Sequence, residues 1–443
     1  MRFPSPRLRL ALAAYALLWT LALPAILLYL RRRARRDPDY TAHLAERFGR
    51  YTGTAPGSVW VHAVSLGELR SAVPLIRALL ARGETIVVTL FTPAGRREAQ
   101  SVFAEAIAAG TLRTVWVPFE FDWAFRRFFA AFRPRYGLVM EIEIWPRMIA
   151  AARARDVPLF MCNAQYPKKS YDRDRRRTRL RAALLPGFAG ALVKSDLQAE
   201  RFASVGVTNI AVTGELRFDQ PVPQSQVAAG LAARRWLGAG HRAVVTIASA
   251  VAGEDALFLA AMKAAQAAFR AQGRPAPLFV YVPRAPERFA EAGRMLDEAG
   301  LRTARRSALL GPAFEPAGPP PEIDVLLGDS LGEMYAYLAM ADRVLVGGGF
   351  TAKGSHNISE ALALAKPVMT GPEIWTIEYP AVEAIAAGVC RRLAGPAELA
   401  EALGPDAAPD PSRDSIAAFF AAHSGAVEKT LAAIPRLLAA TSR

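Results

Sequence analysis

A carboxylate with no obvious partner is the first residue in this chain placed to do chemistry. In "VWVHAVSLGELRSAVPLIRALLARG", Val59 to Gly83, a strand-like Val-Trp-Val run crosses a small-residue turn and delivers Glu68 to the start of a helical pattern. A carboxylate so placed reads either as a general base that takes a proton from an incoming hydroxyl or as a first-turn acid complementing a helix dipole. Farther along, "MEIEIW" sets Glu141 and Glu143 in strand-like alternation, which predicts that both face one side. The stretch "RVLVGGGFTAKGSHNISEALALAKPVMTGP", Arg343 to Pro372, carries a buried-strand pattern into Gly347, Gly348 and Gly349. Glycines there would let backbone N–H groups approach a phosphate at a helix start, and Asn357 and Glu360 would share one face of that helix. A carboxylate at such a point can accept hydrogen bonds from ribose hydroxyls, while the plainer alternative is a tight turn with Asn357 as a helix cap.

These groups need elements to hold them. After the first thirty residues, β-branched runs alternate with Ala-rich helical patterns: "SVWVHAV", "TIVVTLFT", "LRTVWVPF", "YGLVMEIEIW" and "LFMCNA", then from Arg242 a second series, "RAVVTIASAVAGED", "PLFVYVPRAPERF", "RVLVGGGF" and "KPVMTG". Repeated strand and helix predict an α/β protein with two parallel sheets covered on both faces. A length of 443 residues fits two domains. The Pro-containing segment "FDQPVPQSQVAAG", Phe218 to Gly230, interrupts both periodicities and predicts a linker, dividing the chain into 37–219 and 220–443, the latter ending in terminal helices from Ser412. The halves echo one another, since "VWVHAVSLGEL" and "VVTIASAVAGED" each lead a strand through small residues to Gly-Glu at a helix start. Ligands gather beyond the carboxyl ends of parallel strands, so two sheets facing across a cleft would bring both turns to one site.

Composition narrows the partners. Lys and Arg outnumber Asp and Glu by 55 to 40, mostly as Arg, which favours forked contacts to anions. Nucleic acid is excluded as the partner because no interleaving of aromatic and basic residues marks a base-stacking platform. The two cysteines, Cys162 and Cys390, are too few for a disulfide framework or a zinc site and suit a reducing compartment. From Leu10 to Leu30 there is no charge, a run of about 20 residues that matches a hydrocarbon core. "RRRARR", Arg31 to Arg36, stands where a cleavage site would be, so residues 1–36 read as an uncleaved membrane anchor with its basic flank. These arginines outnumber Arg2, Arg7 and Arg9 ahead of the run, which places the body on the cytoplasmic side. "RDRRRTRLR", Arg173 to Arg181, reads as a solvated basic helix.

The Arg343 to Pro372 segment resembles the donor-binding motif of the 3-deoxy-D-manno-octulosonic acid (Kdo) transferases of bacterial lipopolysaccharide synthesis, Gly-Gly-His-Asn-x-x-Glu-Pro followed by Gly-Lys-Pro-Val. The likeness continues in order along the chain. "VHAVSLGELRSAVPLI" is similar to the family's Ser-Val-Gly-Glu block, "MEIEIWPRMI" to Glu-Thr-Glu-Leu-Trp-Pro, "GELRFD" to Gly-Asn-Leu-Lys-Phe-Asp, "VPRAPERF" to Val-Pro-Arg-His-Pro-Glu-Arg-Phe, and "GDSLGEMYAYLAMAD" to Gly-Asp-Thr-Met-Gly-Glu-Leu. The resemblance implies a GT-B fold of two Rossmann-like domains, the first binding the acceptor and the second the CMP-sugar. It implies CMP-Kdo as donor, the lipid A precursor lipid IVA as acceptor, inversion without a metal or other cofactor, and work at the bacterial inner membrane. Glu68 falls on the family's general base, Glu141 on a residue of its active centre and Arg217 on its Lys. Pro283, Arg284, Leu331, Gly332, Glu333, Asn357, Ile358, Ser359 and Glu360 fall on its CMP-binding positions.

The chain departs from the pattern at Glu215, Val251, Ala285, Ser355 and Ala361, where the family carries Asn, His, His, Gly and Pro. Those departures keep open a diverged paralogue with another acidic sugar or acceptor, and a catalytically inactive membrane scaffold. Retention of Glu68, Arg284, Asn357 and Glu360 argues against the scaffold.

Overall fold

The computed structural model describes residues 3–176 and 180–441, so the middle of the Arg173 to Arg181 basic stretch lies outside the described residues. Its contacts divide into two compact units, residues 1–220 with 424–443, and residues 221–423.

The first unit is built on a seven-stranded sheet of β1 (Val59–His62), β2 (Ile86–Leu90), β3 (Leu112–Trp116), β4 (Tyr136–Met140), β5 (Leu159–Ala164), β6 (Gly190–Val193) and β7 (Ile210–Val212), in the order β3-β2-β1-β4-β5-β6-β7. Every pairing is parallel. The central strands β1, β2, β4 and β5 are buried throughout, which is why they read as continuous apolar runs rather than alternation. Side chains still alternate between faces: Val59 and Val61 join one core layer, while Trp60 packs with Phe125, Phe128 and Phe132 in the other. Strand order reverses between β1 and β4, and this switch point opens a crevice at the strands' carboxyl ends.

The second unit repeats the plan with β8 (Val244–Ala250), β9 (Leu278–Pro283), β10 (Thr303–Arg305), β11 (Val325–Leu327), β12 (Arg343–Val346), β13 (Val368–Thr370) and β14 (Cys390–Arg392). Their order is β10-β11-β9-β8-β12-β13-β14, again seven strands and all parallel, with the switch between β8 and β12.

Two expectations about the chain's course are corrected. The segment 218–230 is only partly linker, because a helix begins at Gln224 and runs to Trp236 once Pro221 and Pro223 are passed. The terminal helices do not both belong to the second domain: Arg413–His423 stays with it, whereas Ala426–Thr441 returns to the first unit. The cause is nonlocal. Leu431, Ile434 and Leu437 complete the core layer of Val59 and Leu138, and the Asp219 carboxylate accepts N–H bonds from Gly425 and Val427 at 2.6 Å each, capping the returning helix.

One helix among the described residues, Pro6–Ala34, is long and apolar enough to cross a membrane. Ser5 caps it, and Pro24 lies within it.

Candidate active site

The turn after β1 fixes Glu68. Ser65 caps the helix Leu66–Ala81 by accepting from the Glu68 N–H at 3.3 Å, and its hydroxyl donates to Glu68 Oε1 at 3.2 Å. Glu68 Oε2 accepts the Val64 N–H at 2.7 Å. "SLGE" is thus close to a capping box, with the carboxylate reaching the Val64 N–H one residue before the cap, so the helix-start reading of Glu68 is realised in the geometry. Burial pushes the Glu68 carboxyl up to about 8, helped by the nearby Glu141 and Glu143 carboxylates and opposed by the Val64 and Ser65 bonds. His62, at the end of β1, is no acid-base partner: burial pushes it down to about 3, and its Nδ1 is engaged with the Thr89 hydroxyl at 2.8 Å.

Glu141 stands across the switch point, but not as expected. β4 ends at Met140, and Glu141 turns out of the strand with φ of 56°, its N–H donating to Cys162 O at 2.8 Å. The predicted alternation with Glu143 therefore fails, because a strand period stops where the backbone enters the left-handed region. Glu141 Oε1 lies 3.8 Å from the Arg217 guanidinium. Glu143 accepts from the Trp145 indole at 2.8 Å, and its carboxyl is raised by burial. Arg217 also donates through Nε to Ser71 Oγ at 2.8 Å, one turn along the helix that carries Glu68. Glu68, Glu141 and Arg217 are brought together, and Ser71 was not foreseen.

Beneath Arg217 lies a buried ion pair. Lys194 Nζ is 2.6 Å from Glu215, which also accepts from Asn163 Nδ2 at 2.9 Å; burial alone would raise the Glu215 carboxyl, yet Lys194 and Arg217 hold it below its ordinary value. Glu120, equally unforeseen, accepts the N–H groups of Arg147 and Met148 at the start of the helix Pro146–Arg153, and burial raises it to about 7.

In the second unit the carboxyl ends of β8 and β12 meet in a similar way, with a different outcome. Glu254, the counterpart of Glu68 in the sequence echo, accepts from Val251 N at 3.3 Å, Gly348 N at 2.7 Å and Phe350 N at 3.0 Å. The Gly348 amide is therefore occupied by the chain's own carboxylate, which corrects the expectation of a glycine cradle open to phosphate. Close approach of other backbone explains the glycines instead: a Cβ at Gly347 would stand 2.5 Å from Ser249 O, and one at Gly348 2.3 Å from Gly354 O. The next helix begins only at Ser359, so Asn357 and Glu360 do not share a helix face. Asn357 lies ahead of it, one residue before the cap position Ile358, and accepts from Ser359 N at 3.0 Å and Ser359 Oγ at 2.6 Å, an Asx turn leading into the helix rather than its cap. Glu360 sits in that helix's first turn, Ser359 is buried, and Ile358 anchors the approach in the core.

The remaining donor candidates gather on neighbouring strand ends. Pro283 closes β9, and Arg284, exposed beyond it, donates its N–H to Ala250 O at 2.9 Å. His356 is pushed down to about 4 by burial and by the charges of Arg284 and Lys353. After β11, Leu331 is 70% exposed at a turn tip, Gly332 has φ of 78°, and the Glu333 carboxylate is held by Arg306 at 2.6 Å and by Ser330. Glu333 is thus a tether for its loop. The departures at Glu215, Val251, Ser355 and Ala361 are all buried, so they answer to packing rather than to an exposed ligand surface. Among the described residues no group of three or more His, Cys, Asp or Glu is arranged to hold a metal ion.

Two Rossmann-like units, each a seven-stranded parallel sheet with a central switch point, define the GT-B class of glycosyltransferase. A glycosyltransferase from Rickettsia africae is 9% identical with a TM-score of 0.50, covering 88% of this chain and 94% of that one, a likeness of fold alone. Residues 42–220 match the family model described as 3-deoxy-D-manno-octulosonic-acid transferase (kdotransferase). The chain is 42% identical to the 3-deoxy-D-manno-octulosonic acid transferase of Bordetella pertussis over 94% of its own length and 98% of that protein's. It is 27% identical to that of Haemophilus influenzae, over 83% of each. The chain belongs to the Kdo transferase family.

Proposed function

We propose that the protein transfers Kdo from CMP-Kdo to a hydroxyl of the lipid A precursor lipid IVA, with inversion and without a bound metal. The observation that carries this reading is Glu68, a carboxyl fixed by two local bonds at the switch point and raised to about 8, in the range a general base at neutral pH requires. The acceptor oxygen forms its bond to the anomeric carbon of Kdo as Glu68 takes the proton. The bond from that carbon to the CMP phosphate breaks, and the electron pair leaves on the phosphate. Arg217, steadied by Ser71 and Glu141, offers a fork for the anionic groups of the reactants. In the second unit, Arg284 would pair with phosphate, Glu360 with ribose hydroxyls, and Pro283, Leu331, Gly332, Asn357, Ile358 and Ser359 would shape the nucleotide's seat. With its carboxylate committed to Arg306, Glu333 contributes by holding that turn.

The apolar N-terminal helix and the Arg31 to Arg36 flank support attachment to the inner membrane with the body on the cytoplasmic side. The test is purified enzyme given CMP-Kdo and lipid IVA, with the lipid product read by mass spectrometry. The expected product carries added Kdo. Lipid IVA left unmodified with CMP-Kdo, but modified when another acidic sugar nucleotide is supplied in its place, would favour the diverged paralogue.

A further inference from the structure

The helix Pro6–Ala34 does not stand clear of the body. Its partly or fully buried residues include Leu8, Leu12, Tyr15, Trp19, Leu23, Ile26 and Leu30, spaced by three or four throughout, so one stripe is in contact from the first turn to the last. Leu8 and Leu12 enter the core layer of Ile149, Leu185 and Phe188. The Trp19 ring lies 5.9 Å from Phe119 and 6.0 Å from Phe121, and Leu30 is buried in the same cluster. A helix of this length reaches about 43 Å, and it is docked lengthwise on the first unit. A helix standing across a bilayer would have lipid, not core residues, around most of that stripe.

The opposite side is equally apolar and uncovered. Leu10 is 74% exposed, Leu17 61%, Leu21 70% and Leu28 53%. This explains why the helix has no polar face: one side meets protein, and the other needs a partner that is not water. Charge identifies that partner. Exposed arginines sit at both ends, Arg7 and Arg9 at one and Arg31 to Arg36 at the other, with no charge between. A helix lying flat brings both groups to one plane of anionic headgroups. Trp123, 39% exposed and stacked on Phe121 at 5.4 Å beside the helix, adds an aromatic of the kind that settles at a membrane interface.

We propose that this helix lies in the plane of one leaflet, pressing its Leu10, Leu17, Leu21 and Leu28 ridge into the acyl boundary, with both its ends on the side that carries the body. The proposal rests on the reading of the helix as a membrane anchor. Arg9→Cys and Arg36→Cys, made singly in the full chain, test it, since Cys162 and Cys390 are buried and give little background. Membrane vesicles sealed with the body outward are treated with a membrane-impermeant maleimide. Both positions are expected to label within about two-fold of each other without detergent. Labelling of Arg36→Cys alone until permeabilisation would show a spanning helix and overturn the proposal while leaving the anchor intact. Protein recovered free of membranes, as a monomer or as a dimer with a second copy on the ridge, would overturn both. In parallel, Leu17→Glu with Leu21→Glu is expected to lower membrane retention at least ten-fold while turnover of detergent-dispersed acceptor is unchanged. Unchanged retention would overturn the ridge.

Discussion

Glu68 and Glu254 are one device used to two ends. Each carboxylate accepts an amide from its own strand-to-helix turn, but Glu254 spends its second oxygen on Phe350 N and shares its first with Gly348 N, whereas Glu68 meets only the Ser65 hydroxyl. On that difference rests our proposal of Glu68 as proton acceptor, with Glu254 as a brace. Glu68→Gln is expected to keep the fold and CMP affinity and to lower turnover by about 100-fold to 10,000-fold, measured with both substrates saturating. The parent rate should rise with pH through about 8, where Glu68 loses its proton, and then level off. Stability should run the other way. The folded carboxyl, at about 8 against an ordinary 4.5, holds its proton more tightly than the unfolded one, so its contribution is full below about 4.5 and is lost as pH rises through about 8. Glu68→Gln should therefore raise Tm relative to the parent at pH 9 and leave it nearly equal at pH 5. Glu254→Ala should instead cost at least about 1 to 3 kcal/mol in denaturant unfolding at pH 7, because buried amides lose their acceptor.

At the level of elements, continuous apolar runs made the central strands legible, and the Gly-Glu echo correctly marked both switch-point turns. What escaped was set by contacts far away in the chain. "EIEI" looks like strand until Glu141 is turned into the left-handed region, and the glycine triplet looks like a phosphate cradle until Glu254 arrives from β8. Neither partner is visible in a local window. Glu68 could be placed at a helix start, but its raised pKa comes first from burial and then from the neighbouring Glu141 and Glu143 carboxylates, none of which a local window shows. The returning C-terminal helix was likewise hidden, since its amphipathic pattern says that it packs but not where. Its cap offers a direct check. Asp219→Ala should cost about 0.5 to 2 kcal/mol in the unfolding of the first unit, with CMP affinity of the second unit unchanged by calorimetry. On the donor side, Arg284→Ala and Glu360→Ala should each weaken CMP binding by about 1.5 to 3 kcal/mol in the same measurement.

For the molecule as a whole, removal of residues 1–36 would delete the exposed ridge and uncover the apolar residues the helix packs on, Phe119 and Phe121 near its end and Ile149, Leu185 and Phe188 near its start. The truncated protein is therefore expected to aggregate in detergent-free buffer, seen by light scattering, and to keep turnover of detergent-dispersed acceptor when detergent covers that face. Treatment with EDTA should leave the rate within about two-fold. The connectivity carries a further consequence, for the order of events on the ribosome. The second unit, 221–423, is continuous in sequence, while the first is interrupted by it and closed by residues from 424 onward. As the chain emerges, the later-made unit has all its strands before the earlier-made one has its last core helix. The N-terminal body must wait, its layer of Val59 and Leu138 open, until Leu431, Ile434 and Leu437 have been added. Expressed alone, 221–423 should show cooperative unfolding, and 1–220 should not until a peptide spanning 424–443 is supplied in trans.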